Sequence, residues 1–392
     1  MNPFKFEGMP RLVHGAGALL DLPDHLAKFG DRVLLVTGAH SFVESEHYGR
    51  LMERFASARI HADEVRISGE PTPDQIDVAV EQCAGRGIDV VVGIGGGAAV
   101  DAGKAIAAMI PLNEPATPYL EGVGDRSHPG DTKPYVAVPT TAGTGAEATK
   151  NAVISQVGED GFKKSLRHDN FIPKLVILDP ELSVGCPRNV TAACGLDALT
   201  QLLEAYTSPK ATPLTDALAL SGLEMVIKNL IPACGEKAND LNARSAMAYG
   251  AFLSGVTLAH AGLGIVHGFA SPIGGFFDIP HGVVCGTLLP AATDMNIDCL
   301  IQGGGQGTDA LAKYVQVGRM VSGTKQQPAE ASLDLLRRTL KIWCLQLEIP
   351  KLSDYGVTVN DIDRIVAGSG LKNNPVQLDE SQMAAILAKR ID

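Results

Sequence analysis

The sequence predicts an N-terminal α/β domain on a parallel sheet, followed by an all-α C-terminal domain. Three observations carry this reading. Residues 1 to about 110 alternate short β-branched runs with helical patterns, the signature of parallel strands joined by helical crossovers. From about Thr191 onward strand patterns give way to long helical ones. At 392 residues the chain is long for a single core, so two domains are expected. We place their boundary near residue 185, giving an α/β unit over 1–185 and a helical unit over 186–392.

The elements follow in order. Residues 11–14 read as a short strand, 20–29 as a helix, 33–36 as a strand and 44–57 as a helix. A strand over 62–67 leads through Glu70-Pro71-Thr72-Pro73 into a helix over 74–85, because prolines suit a helix start. The next strand begins at Asp89. A loop rich in Pro, Gly and charge over 111–133 precedes a strand at 135–138, and a last strand over 175–178 is closed by Asp179-Pro180. Ligands bind such sheets beyond the carboxyl ends of the strands.

Residues 89–104 organise the rest. Val90, Val91 and Val92 form a β-branched apolar run, a strand buried on both faces, and helix-forming composition begins at Ala98 with Asp101 and Lys104 on one polar face. Gly93, Gly95, Gly96 and Gly97 stand between them. Glycines that end a strand and open a helix leave backbone N–H groups bare at a positive helix terminus, with no Cβ to hold off a phosphate. The bland alternative is a tight βα turn without ligand. Gly93, Gly95 and Ala98 spell G-x-G-x-x-A, but an earlier strand at 33–36 already ends in its own loop, Thr37-Gly38-Ala39-His40-Ser41. The standard fingerprint follows the first strand and has an acid about 20 residues on; here that distance reaches Glu114, in the Pro-rich loop.

A second polar loop, residues 139–149, carries Thr140, Thr141, Thr144 and Thr149 at a strand end, hydroxyls suited to phosphate or ribose oxygens. A turn that caps the next helix explains it equally well. In the helical region Asp197 and Gln201 are four apart and share a face. His267 and His281 are fourteen apart, separated by glycines and prolines that let the backbone fold back. One carboxylate and two imidazoles are sufficient ligands for Zn²⁺ or Fe²⁺ with a position left open. A single histidine among small residues is more often a hydrogen-bonded core group; the joint pattern favours a metal.

Composition removes several classes. With 45% hydrophobic and 20% charged residues, a net charge of −11 and no Lys/Arg cluster, neither a nucleic-acid nor an anionic-membrane partner is expected. Seven cysteines (83, 186, 194, 234, 285, 299, 344) are scattered singly, as suits reduced thiols in a cytoplasm. The N-terminus has no apolar core for a signal peptide, so a cytoplasmic location is expected. Residues 245–277 contain no charged side chain and exceed the ~20 that span a bilayer. Their glycines, Pro272, His260 and His267 read instead as helices buried in a soluble domain.

Gly95-Gly-Gly-Ala-Ala-Val-Asp101, Pro139-Thr-Thr-Ala-Gly-Thr-Gly-Ala-Glu147, Asp179-Pro180-Glu181-Leu182, Gly195-Leu-Asp197-Ala-Leu, and His267 with Pro280-His281-Gly282 resemble the successive signatures of the iron-containing (group III) alcohol dehydrogenases. The match runs along nearly the whole chain. It implies a Rossmann-like NAD(P)-binding domain, a helical metal domain of the dehydroquinate synthase-like type, and an active site between them. By the same resemblance Gly95, Gly96, Gly97, Ala98 and Asp101 surround the diphosphate, and Thr140, Thr141, Thr144, Thr149 and Lys163 line the nicotinamide and ribose. Asp197, His267 and His281 match three of four metal ligands, and Gln201 stands where most members have the fourth, a histidine. Ser271 replaces a second histidine often found four residues after His267, and Gly38 replaces an acid common in NAD-preferring members.

The expected activity is interconversion of an alcohol with its aldehyde or ketone, using NAD or NADP and one divalent ion, Zn or Fe. His267 and His281 are the expected catalytic residues, and a homodimer or higher homo-oligomer is expected from the family. A metal-independent carbonyl reductase resembling maleylacetate reductase is the rival within the fold. A lyase of the dehydroquinate synthase type and a nucleotide-binding protein with a degraded site are more distant.

Overall fold

The computed structural model describes residues 3–303 and 308–391. Strands β1 (Arg11–His14), β2 (Arg32–Gly38), β3 (His61–Ile67), β4 (Val90–Gly95) and β5 (Tyr135–Pro139) alternate with helices α1 (Leu22–Leu26), α2 (Glu46–Ser57), α3 (Pro73–Cys83) and α4 (Gly97–Met109), and β6 (Asn151–Gln156), β7 (Phe162–Arg167) and β8 (Leu175–Leu178) follow without an α-helix between them. Six strands form one sheet in the order β1-β8-β5-β4-β2-β3, every pair parallel. Without the edge strand β1, the order by succession is the doubly wound 2-1-3-4-5 pattern. Its direction reverses between β2 and β4, and ligands sit at such a crevice.

Alternation across the pleat explains the two cores. Val33, Leu35, Val90, Val92, Ile94, Val136, Val138, Leu175 and Ile177 pack on one face with α1 and α2 residues such as Leu22, Leu51 and Phe55. Leu34, Val36, Val91, Ala137, Val176 and Leu178 pack on the other against α3 and α4, in a core continuous with the helical region. Every residue of β4 is buried, as expected of a strand covered on both faces. Gly95 pairs with Pro139 and Thr37 with Ile94, so the loops after β2, β4 and β5 end at one level.

Two elements differ from the sequence reading. The expected helix over 20–29 is a 3₁₀ turn at Ala18–Asp21 followed by the short α1. The Asp179 carboxylate, just after β8, accepts hydrogen bonds from the Gly17 and Leu19 N–H groups at 3.1 and 3.0 Å, fixing the turn from outside. Strands β6 and β7 form an antiparallel hairpin that was not expected. β7 is polar, with Lys163, Lys164 and Arg167, and the apolar run of β6, Ala152-Val153-Ile154, is only three residues long. The turn between them, Val157-Gly158-Glu159-Asp160-Gly161, carried the available signal.

The helical region comprises α5 (Arg188–Thr207), α6 (Pro213–Ala233), α7 (Leu241–Ala261), α8 (Ile265–Phe276), α9 (His281–Gln302), α10 (Thr308–Ser322), α11 (Ala329–Gln346), α12 (Ile362–Gly368) and α13 (Glu380–Ala388). α5 is the central helix, packed against α6, α7 and α9 and buried at nearly every position from Thr191 to Thr207. A helix so enclosed has no polar face, and its polar residues therefore need partners. Among the described residues no single helix is long and apolar enough to cross a membrane. α7 and α8 together meet that test by length and composition, but they bend by 100° at their junction. Gly262 makes the bend with a φ of +75°, which ends α7 and turns His267 back toward α5.

Candidate active site

The loop from β4 into α4 has the form of an anion cradle. α4 begins at Gly97 with Gly96 as its N-cap and no side-chain cap, leaving its first N–H groups for a ligand. A Cβ at Gly95 (φ +155°) would meet Ala99 Cβ at 2.7 Å, and one at Gly97 would meet Thr144 Cγ2 at 2.7 Å. A Cβ at Gly96 meets nothing nearer than Thr141 Oγ1 at 3.6 Å, so that position faces usable space. Gly38, ending β2 across the crevice, has no atom within 4 Å of a Cβ position. These features suit a dinucleotide whose phosphates approach the backbone.

Behind this loop lies a buried charged post. Lys104 Nζ donates to the carbonyls of Ala146, Thr149 and Asn151 at 2.6, 2.8 and 2.8 Å and to Thr149 Oγ1 at 3.0 Å. The threonine loop is thereby tied to α4. Burial pulls the Lys104 ammonium down to about 8 and pushes the carboxyls of Asp101 and Glu147 up to about 7 each. Asp101 and Thr149 are 8% and 4% exposed; the Thr149 hydroxyl is held by Lys104, while Asp101 Oδ1 has no hydrogen-bond partner. Thr140, Thr141 and Thr144 remain partly accessible along the loop. Lys163 forms an ion pair with Glu70 at 3.0 Å, and Ser271 Oγ donates to the Lys163 carbonyl at 3.0 Å.

The threonine loop joins the two halves. A Cβ at Gly143 would lie 2.7 Å from Cys194 Cβ on α5, three residues before Asp197. A Cβ at Gly145 would lie 2.4 Å from the Gly255 nitrogen on α7, so two glycines let loop and helix backbones touch.

From α5, Asp197 reaches a point that His267, in the first turn of α8, and His281, the first residue of α9, also reach. Asp197 Oδ1 lies 3.4 Å from His267 Nε2 and 3.8 Å from His281 Nε2. Asp197 is fully buried, yet neither carboxylate oxygen has a hydrogen-bond partner. An uncompensated buried carboxylate is costly, and a cation is the usual remedy. Burial pushes its carboxyl up, but the imidazoles of His281 and His267 hold it below the ordinary value. Burial pushes His281 down to about 4, into the neutral form that ligates a metal. The donor set thus suits a divalent ion.

Sequence reasoning missed two residues here. Glu204 accepts from His267 Nδ1 at 2.7 Å and from the Val266 N–H at 2.7 Å. A carboxylate behind a ligating imidazole fixes its tautomer and aims Nε2 at the ion. The signal was present: Asp197, Gln201 and Glu204 follow one face of α5 at helical spacing. The second is Cys285, one turn after His281, whose sulfur lies 3.6 Å from His267 Nε2 and 3.7 Å from His281 Nε2. Asp197, His267, His281 and Cys285 offer donor atoms that all lie within 4.8 Å of one another. Burial pushes the Cys285 thiol up to about 12. Gln201 is buried nearby, with its amide oxygen accepting from Ser254 Oγ at 2.6 Å. A separate cavity of about 640 Å³, lined by Val80, Cys83, Asn113, Asp131 and Lys133 among others, lies beyond the amino ends of β4 and β5, away from all of these groups.

Residues 10–180 match the family model described as iron-containing alcohol dehydrogenase, and residues 191–391 match that family's C-terminal model. Alcohol dehydrogenase 4 of Saccharomyces cerevisiae is 30% identical over 385 residues, covering 96% of this chain and 95% of its own. The 1,3-propanediol dehydrogenase of Klebsiella pneumoniae is 38% identical over 332 residues, 81% of this chain and 80% of its own. The solved alcohol dehydrogenase from Oenococcus oeni superposes with a TM-score of 0.85 at 26% identity, covering 99% of this chain and all of that one (100%). The chain belongs to the iron-containing alcohol dehydrogenase family, and is an oxidoreductase that acts on CH–OH groups with a nicotinamide cofactor.

Proposed function

We propose that the reaction takes place between the Gly95–Gly97 cradle and the Asp197–His267–His281 cluster, on a small alcohol or its carbonyl counterpart. The observation that carries this is Asp197, buried, without a hydrogen-bond partner and facing two imidazoles beside the threonine loop. A divalent ion there supplies Lewis acidity to the substrate oxygen, and the nicotinamide supplies the hydride site. The chain's own part is positional. Glu204 holds the His267 ring, α4 presents bare N–H groups to the diphosphate, and Lys104 pins the loop between the two sites. His281 is the cluster's more exposed member, its side chain 23% accessible, so substrate enters past it. Ser271 Oγ donates to the Lys163 carbonyl on β7, and the proposal gives the role of proton donor to water.

For cofactor choice, the open space at Gly38 and the lack of an acid there support acceptance of NADPH as well as NADH. All seven cysteines are unpaired, which supports a reducing cytoplasmic setting. A homodimer remains the family-weighted proposal, with no nucleic-acid or membrane partner.

The test is metal analysis of the purified protein together with NADH and NADPH oxidation across a panel of aldehydes. Activity that disappears on chelation and returns with a divalent ion is expected. Full activity in chelated, metal-free protein would put the metal-independent reductase reading in its place.

A further inference from the structure

We infer that Cys285 is itself a metal ligand in this chain, and that its thiolate takes the fourth coordination position, which Gln201 does not fill. The result is a carboxylate, bis-imidazole, thiolate site suited to zinc. This rests on the metal-site reading above and goes beyond it in naming the fourth ligand and the ion.

All six separations among the four donor atoms lie within 4.8 Å, and four of them can be set against a tetrahedral site. Zinc bonds of about 2.0–2.1 Å to nitrogen or oxygen and about 2.3 Å to sulfur imply tetrahedral edges of about 3.3 Å between N and O and about 3.6 Å between N and S. The corresponding separations are 3.4 Å for His267 Nε2 to Asp197 Oδ1, and 3.6 and 3.7 Å for the sulfur to the two imidazole nitrogens. The fourth, His281 Nε2 to Asp197 Oδ1, is wider at 3.8 Å. The orphaned carboxylate of Asp197 independently marks the point as a cation site.

Placement on α9 gives the sulfur this position. His281 and Cys285 are four apart on one helix, so both side chains reach the same side. Cys285 is fully buried, and its sulfur lies within contact of both ligating imidazoles. Gln201 Oε1 lies 2.6 Å from Ser254 Oγ on α7, and a neutral amide is a weaker ligand than a thiolate. Replacing an imidazole by a thiolate adds a negative charge and a soft donor. The charge strengthens binding of any divalent ion, and the soft donor favours zinc, which has no d-electron preference for geometry. Zinc can expand to five ligands, which leaves room for substrate oxygen.

The experiment uses full-length protein freed of metal and reloaded with Zn²⁺ or Co²⁺. Zinc X-ray absorption of the wild type should show one sulfur neighbour at about 2.3 Å beside nitrogen and oxygen near 2.0 Å. Cobalt-loaded wild type should show a thiolate-to-metal charge-transfer band. Cys285→Ser should lose both signals and weaken zinc binding by roughly 100-fold or more, above the 10–100-fold typical of groups that only support a ligand. Gln201→Ala should keep both signals and nearly wild-type affinity. Stoichiometric metal in the wild type without a sulfur neighbour overturns the assignment and leaves the metal site standing. Failure to bind either ion overturns both. Loss of metal from Gln201→Ala, with Cys285→Ser unaffected, would give the fourth position to the amide.

Discussion

The two ends of the cleft are built by opposite means. At the carboxyl edge of the sheet the proposed cofactor site consists of main-chain N–H groups of one continuous stretch, left open by the absence of side chains at Gly95, Gly96 and Gly97. At the other end the groups are side chains from three helices, with Asp197, His267, His281 and Cys285 brought within 4.8 Å of one another. A backbone site fails by obstruction, in proportion to the bulk added. A side-chain site fails by loss of a single atom, because each donor has a separate role and a buried partner left without it. Substitutions at the metal end should therefore cost more than those at the cofactor end.

His267→Ala tests the larger side of that contrast. Removing one ligand should abolish stoichiometric metal binding and lower kcat/KM by about 10³-fold or more, since Lewis-acid assistance is worth several kcal/mol. Elemental analysis alongside steady-state kinetics reads both. A variant that kept metal and turnover would show that the imidazole is a core group.

Glu204→Gln comes next, because it leaves the ligands in place and removes only the charge behind His267. Metal affinity or activity should fall by about 10–100-fold, the usual effect of such supporting groups. Dinucleotide affinity, measured by fluorescence titration, should not change. A parallel loss of cofactor binding would mean that the two ends are coupled.

Gly96→Val probes the other end by bulk alone. Its Cβ has room in the fold, so the variant should remain folded while its branched side chain covers the N–H groups of α4. NAD(P)H binding should weaken by at least about tenfold, with metal content unchanged. Equal affinity in the folded variant would remove the cradle assignment.

Gly38→Asp should have the smallest effect. Like charges placed face to face cost several kcal/mol when desolvated, and solvent screening at this rim reduces that to about 1–2 kcal/mol. The NADPH to NADH preference should therefore move about tenfold toward NADH in steady-state assays. If the wild type rejects NADPH outright, another part of the crevice sets the choice.

What the sequence determined by itself was whatever rests on local period and local spelling. The strands at 11–14 and 175–178 were readable to the residue, and the β4–glycine–α4 unit was readable as a unit, because each is one stretch whose own side chains define its burial. That Asp197, His267 and His281 would meet was expected from spacing and family signatures, and the fold brings their donor atoms within 4.8 Å of one another. Tertiary structure alone decided the rest. The strand order that places Gly38 across from Gly95 is fixed by pairing between distant segments, and the β6–β7 hairpin pairs a polar β7 with a β6 whose apolar run is only three residues long. Thr149 was expected to face the cofactor, and what the sequence did not show is that its hydroxyl and carbonyl accept from Lys104, since a buried ammonium has to find acceptors. Cys285 looked like one more scattered thiol until the bend at Gly262 and the start of α9 at His281 brought its sulfur to both imidazoles. Spacing along one helix says which side chains share a face. Only the packing of three helices says what that face meets.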